Sequence, residues 1–398
     1  MLITSLLLAS CLIPASEANI EWASGSFMTT VGKARAADKP VMIYFWSNQS
    51  EQCRSLWDNT LSKPDAAGIL DDFTMYSADT GTDAGYKLVE QFHISTLPTL
   101  LVLDAEGQAN DVILGAINLP NLASEIQRIE SGEGTLSTLR AAVENTPTDI
   151  ELRGKLTVKF GDLGMHEAFA LERTKIYSMD PQFAHATTAE FRVREIQKEI
   201  EQAAGDEGAY EYKPLISFIK GIEHKNVKYT SWAWIASVAD YKEDSANARG
   251  ARVAMWENVP ETSVARDGFM LSQYFYGLRE ELSKKEKRFA LQVAQDTLAA
   301  VEAWSVKNTS SAAGADGEVA QACPADCYCA DCVEGCVGEG ERLAERKLYV
   351  ARASENLALI LKMNGKRRDA LAAIERSIEL DPENEAYLTS RAVIKERG

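Results

Sequence analysis

Five cysteines fall within fourteen residues: Cys323, Cys327, Cys329, Cys332 and Cys336, spaced C-x3-C-x-C-x2-C-x3-C. Thiols this dense suit three chemistries: pairing as disulfides, holding a soft ion such as zinc or cuprous copper, or exchanging with a further thiol. The spacing lacks the two C-x2-C knuckles, separated by a longer loop, that build a structural zinc ribbon. Cys11 and Cys53 complete the seven cysteines of the chain. If four cluster sulfurs bond to one another, one is left over for Cys53 or for another chain, and spacing does not choose between these pairings.

Other chemistry-bearing patterns are incomplete. His166-Glu167 opens like a zinc-protease helix, but Ala170 stands where the second histidine would be. The four histidines, His93, His166, His185 and His224, are scattered along the sequence. There is no glycine-rich phosphate loop, serine elbow or dinucleotide fingerprint, which sets aside hydrolase and nucleotide-binding classes. With 42 Lys+Arg against 59 Asp+Glu the chain carries a formal charge of −17, and no basic stripe relieves it. A phosphate backbone would be repelled, so no nucleic-acid partner is expected. A hydrophobic content of 45% is ample for packed cores.

The amino terminus reads as an address. Residues 1–13 are apolar and followed by small residues and a polar turn, the order of an export signal, although the usual leading Lys or Arg is missing. Leu8-Ala9-Ser10-Cys11 resembles a bacterial lipoprotein box, which would make Cys11 a lipidated first residue. Ser16-Glu17-Ala18 instead offers small residues to an ordinary signal peptidase. Either way the expected location is exported, periplasmic or lipid-anchored to a bacterial envelope. No apolar run reaches the roughly 20 residues of a spanning helix.

These groups need elements to position them. Residues 27–37 have helical period and end in the turn Asp38-Lys39-Pro40. The run Val41 to Trp46 is continuously apolar, β-branched and aromatic, as a strand covered on both faces requires. A helix follows from near Glu51. The pattern then predicts a strand over 74–78, a helix over 86–92, a strand over 99–103 turned by Asp104-Ala105-Glu106-Gly107 into 112–114, and a helix over 119–129. That order predicts one αβ sandwich.

Asp38-Lys39-Pro40-Val41, Phe45-Trp46 ahead of Cys53-Arg54-Ser55-Leu56, Ile94-Ser95-Thr96-Leu97-Pro98-Thr99 and Asp104-Ala105-Glu106-Gly107 together resemble the thioredoxin superfamily, most of all its exported domains with an early tryptophan, here Trp22. The resemblance covers about 110 residues. It implies thiol–disulfide chemistry at a C-x-x-C on a helix start, where the first cysteine is the attacking thiolate. That motif falls on Ser50-Glu51-Gln52-Cys53, so Ser50 occupies the nucleophile position and only Cys53 keeps its sulfur. A hydroxyl cannot form a mixed disulfide. Tyr44 stands where the family commonly has a buried aspartate that takes the second cysteine's proton, and a phenol is a poor base at neutral pH. The resemblance also makes Pro98 a cis-proline beside which, with Thr96 and Leu97, an extended peptide would pair. Pro98 could equally just shape the strand entry, and a lone cysteine on a helix's first turn, as Cys53 is, is more often a small buried hydrophobe than a reagent.

Beyond Glu133 helices dominate. Pro147 and Pro181 are 34 residues apart, and Gly164 precedes Pro181 by 17, just as Gly365 precedes Pro382. These segments resemble tetratricopeptide repeats, in which a glycine permits the tight turn within a helix pair and a proline starts the next helix. The stretch 208–306 is helical by period but does not phase to this repeat, and its tryptophans Trp232, Trp234, Trp256 and Trp304 read as core. The expected fold class is therefore an α/β thioredoxin-like domain followed by an α-helical tetratricopeptide-like array. The expected boundaries are signal 1–18, thioredoxin-like 19–132, tetratricopeptide-like helices 133–205, irregular helices 206–306, a cysteine-rich loop 307–341 and a carboxy-terminal repeat 342–398. Expected partners are protein or peptide clients. Expected chemistry is binding, with thiol–disulfide exchange through Cys53 or the cluster, or zinc or copper binding at the cluster, as alternatives.

Overall fold

The computed structural model describes residues 19–205, 208–310 and 339–396, so the amino-terminal address, Cys11 and the cluster from Cys323 to Cys336 lie outside the described residues. The chain divides into two compact units at Phe191/Arg192.

In the first unit, strands β1 (Val41–Trp46), β2 (Thr74–Asp79), β3 (Thr99–Leu103) and β4 (Ala109–Leu114) form one sheet in the order β2-β1-β3-β4. β1 runs parallel to β2, while β3 is antiparallel to both β1 and β4. β1 is buried along nearly its whole length because alternate side chains enter two different cores. Val41, Ile43 and Phe45 join Leu101 and Leu103 on one face. Met42 and Tyr44 join Leu100 and Val102 on the other.

The second face is covered by α2 (Glu51–Leu56), α3 (Pro64–Ile69) and α5 (Leu119–Glu130), which contribute Leu56, Ile69, Leu122, Ile126 and Ile129. A π-helical turn over Trp57–Leu61 continues α2 and was not legible from periodicity. The first face is covered by α1 (Phe27–Ala36) and α4 (Asp83–Phe92), through Ala34 and Leu88. α4 begins three residues earlier than its apolar pattern suggests because the Thr82 hydroxyl caps it, accepting from the Gly85 amide at 3.1 Å.

The helices after Glu133 do not stand apart from this sheet. α6 (Leu136–Asn145) and α7 (Ile150–Asp162) place Leu136, Leu139, Val143, Leu156 and Phe160 in the same core as Ile43 and Phe45. α7 pairs with α8 (His166–Met179) across a turn at Gly164, whose φ of +68° admits no side chain without strain. A Cβ there would also lie 2.7 Å from the Cβ of His93. The expected glycine turn is thus present, and it abuts the end of α4.

A buried charge joins the same elements. Asp111 on β4 is fully buried; its carboxylate takes Lys159 Nζ from α7 at 2.7 Å, Arg128 Nη1 from α5 at 3.0 Å and the Val112 amide at 2.7 Å. Arg128 also reaches Glu125 at 2.8 Å and the Glu133 carbonyl at 2.6 Å. One carboxylate therefore ties the last strand, the closing helix of the sandwich and the first helix pair together.

α9 (Ala186–Ala204) crosses the division between the units. In the second unit the described elements are helices, among them α10 (Lys213–Gly221), α11 (Lys225–Tyr241), α12 (Ser245–Trp256), α13 (Val264–Gly277), α14 (Lys284–Ser310), α15 (Glu339–Met363), α16 (Arg367–Leu380) and α17 (Glu385–Lys395). Successive helices pack pairwise, α11 on α12, α13 on α14 and α15 on α16. Gly365, at φ +74°, makes the turn between α15 and α16 that its spacing predicts. Trp256 lies in the main core with Phe275 and Tyr387, whereas Trp232 and Trp234 are only half-buried. No helix among the described residues is long and apolar enough to cross a membrane.

Removing the Asp111 carboxylate strands two cations in a largely desolvated site. Asp111→Ala is expected to cost about 3 kcal/mol, read from urea unfolding of the full chain. A loss below about 1 kcal/mol would show that the cluster behaves as a surface ion pair.

Candidate functional site

β1 ends at Trp46, and the chain turns through Ser47, Asn48 and Gln49 into α2. Ser47 shapes this turn: its hydroxyl accepts from the Gln49 amide and its carbonyl from the Ser50 amide, both at 3.2 Å. Ser50 is the N-cap of α2, with extended backbone (φ −87°, ψ 120°), and its Oγ accepts from the Cys53 amide at 3.2 Å. The side chain at the expected nucleophile position is therefore a structural cap, satisfying one of the donors every helix start leaves open.

Cys53, three residues on, faces inward and is only 2% exposed. It is the single cysteine among the described residues. Its carbonyl accepts from the Tyr44 hydroxyl at 3.2 Å, so the phenol reaches the neighbourhood of the sulfur but uses its proton on the backbone. Burial raises the Tyr44 pKa well above its ordinary value of 10, and Cys53 pushes it further the same way. A group that holds its proton this firmly cannot serve as the base of a dithiol cycle at neutral pH.

Just ahead of β3 the Leu97–Pro98 peptide bond is cis, as the resemblance implies. The pairing of Phe45 with Thr99 brings the residues after β1 and those before β3 to the same end of the sheet, so Ser50, Cys53 and the segment Thr96–Pro98 share one edge of the domain. Pro98 is buried, Leu97 half-buried and Thr96 exposed. The Thr96 carbonyl accepts from Thr99 Oγ1 at 2.7 Å, and the Pro98 carbonyl from the Gly115 amide at 2.9 Å. Among the described residues, the backbone N–H and C=O of Leu97 form no hydrogen bond.

Sequence reasoning missed the aromatic cavity on the other side of β1. It measures about 480 Å³ and is walled by Trp22, Tyr44, Trp46 and Trp57, with Cys53 also in its lining. The rings lean on one another in series, with centroids 6.3 Å apart from Trp57 to Trp22, 6.0 Å to Tyr44 and 6.4 Å on to Trp46. The Trp46 indole is fixed by donating to Ser77 Oγ at 2.8 Å. Trp22 arrives through an isolated bridge to Met75 and Trp57 on the π-turn, so no short motif contains both.

His93 and His166, remote in sequence, have rings 5.7 Å apart. No group of three or more metal-ligating side chains is brought together among the described residues, and the cysteine cluster lies outside them.

A family model described as a thioredoxin-like domain matches residues 28–130. The solution structure of a thioredoxin from Thermus thermophilus is 21% identical over 29% of this chain and 95% of its own, with a TM-score of 0.27. The carboxy-terminal domain of Neisseria meningitidis DsbD, in its oxidised form, is 17% identical over 27% of this chain and 98% of its own, with a TM-score of 0.23. The crystal structure of a TPR domain is 14% identical over 69% of this chain and 87% of its own, with a TM-score of 0.15. No curated protein matches the chain.

The Tyr44 phenol supplies a pH test. Its folded pKa is raised, so the stability it confers is present below the unfolded value near 10 and is lost as pH rises above it. Tyr44→Phe should cost about 1 kcal/mol near neutrality through the lost hydrogen bond. It should also flatten the fall in stability above about pH 10. Parallel declines in the two proteins, followed by urea unfolding, would contradict this assignment.

Proposed function

Starting from a thioredoxin-like domain at residues 28–130, we propose that this chain binds extended segments of client proteins at that domain's degenerate redox site, and does not turn over disulfides there. The observation that carries the reading is the unpartnered backbone of Leu97 beside cis-Pro98. A strand-like peptide laid along this edge would satisfy that N–H and C=O with two main-chain hydrogen bonds, the economy of β-augmentation. Binding of this kind uses no sulfur.

Three features support binding over catalysis. Ser50 is engaged as a cap, Cys53 is buried, and the phenol at position 44 is held protonated. The helix pairs that follow support the same reading, because stacked pairs leave surfaces suited to protein partners. An exported location rests on the sequence of residues 1–18, with Cys11 as the residue a lipid anchor would use. The cluster from Cys323 to Cys336 is not required by this function.

The probe is reduced, S-carboxymethylated insulin B chain, an extended peptide without thiols. The full chain should bind it, Cys53→Ser should bind it equally well, and Thr96→Arg, which loads the exposed rim with a bulky side chain, should weaken it by about tenfold. Disulfide reduction of intact insulin should stay at background in wild type and in Cys53→Ser. Turnover abolished by Cys53→Ser would instead establish a thiol–disulfide enzyme.

A further inference from the structure

The cavity walled by Trp22, Tyr44, Trp46 and Trp57 is not used by a peptide paired at Leu97, yet its composition is selective. Aromatic faces carry negative potential and attract cations, most strongly when the cation is desolvated between several rings. Two charged side chains complete the lining, Arg54 and Asp58, and both are exposed. Arg54 is already engaged: Nη1 donates to the Asn48 carbonyl at 2.8 Å, and Nη2 lies 3.8 Å from Glu51. The Asp58 carboxylate has no partner among the described residues. With Arg54 set against Glu51, the charge left over in the lining is that of Asp58, in a chain whose net charge is −17.

The walls also discriminate among cations. A primary ammonium needs acceptors for three N–H groups once it leaves water. The lining is largely apolar, and its side-chain acceptors are few: Asp58, Asn48, and the hydroxyls of Ser77 and Ser47, which already accept from Trp46 and Gln49. An alkylated ammonium has no N–H to satisfy and presents methyl groups to the ring faces. We propose that this pocket binds a small soluble quaternary ammonium compound, with the trimethylammonium group against the indoles of Trp22 and Trp57 and its charge facing Asp58.

The inference stands independently of client binding, and the two can fail separately. Choline is titrated into the full chain by calorimetry, with intrinsic tryptophan fluorescence as a second readout, against 3,3-dimethylbutan-1-ol, its neutral isostere. Choline should bind at least about tenfold more tightly than the isostere. Trp57→Ala, at a side chain 43% exposed and therefore tolerant of truncation, should weaken choline about tenfold, and Asp58→Asn by a few-fold, with circular dichroism unchanged. Equal binding of choline and the isostere, or no binding of choline by folded wild type, overturns the proposal. Binding to phosphatidylcholine vesicles without binding of free choline assigns the pocket to a lipid headgroup and overturns a soluble ligand.

Discussion

The site depends on one hydrogen bond at the start of α2, where Ser50 Oγ accepts the Cys53 amide. The backbone at such a position must have an acceptor, and a short hydroxyl side chain is among the best residues for supplying one. With that demand met by oxygen, the helix start keeps its geometry while the attacking sulfur that the resemblance implies is absent. The rest of the edge is consistent with this exchange. Tyr44 fills the position of a proton acceptor with a side chain that donates to the Cys53 carbonyl, and Cys53 itself packs as an apolar group. What remains available to a partner is backbone at Leu97 and aromatic surface around Trp22 and Trp57.

This edge is held from behind by charge and packing. Asp111 draws Arg128 and Lys159 onto β4, and α7, the helix that carries Lys159, buries Leu156 and Phe160 against the sheet. A buried carboxylate with two cations and a backbone donor is favoured only when all its partners are in place, so the arrangement fixes α5 and α7 at defined positions. The first helix pair is consequently part of the sandwich core, and the turn at Gly164 reaches the end of the helix that leads into the Leu97 segment.

How much could be read from the sequence follows from the range of the interactions involved. The apolar run of β1, the glycine turns at Gly164 and Gly365 and the cis bond before Pro98 are local or motif-borne, and each was legible. Asp111 and Lys159 lie on separate elements 48 residues apart, so their pairing left no periodic trace. The aromatic pocket was hidden for the same reason, since Trp22, Trp46 and Trp57 come from a bridge, a strand and a π-turn. Trp232 and Trp234 read as core, yet half-burial places them at its margin, because a helical period shows which residues share a face and not how deeply that face is covered.

The most direct measurement is the rate at which iodoacetamide alkylates Cys53 in the native full chain, followed by peptide mass spectrometry with a denatured sample as reference. A sulfur that packs as core should remain unmodified until the domain unfolds and then react as an ordinary thiol. Native-state alkylation of Cys53 at the rate of an exposed thiolate would contradict the account.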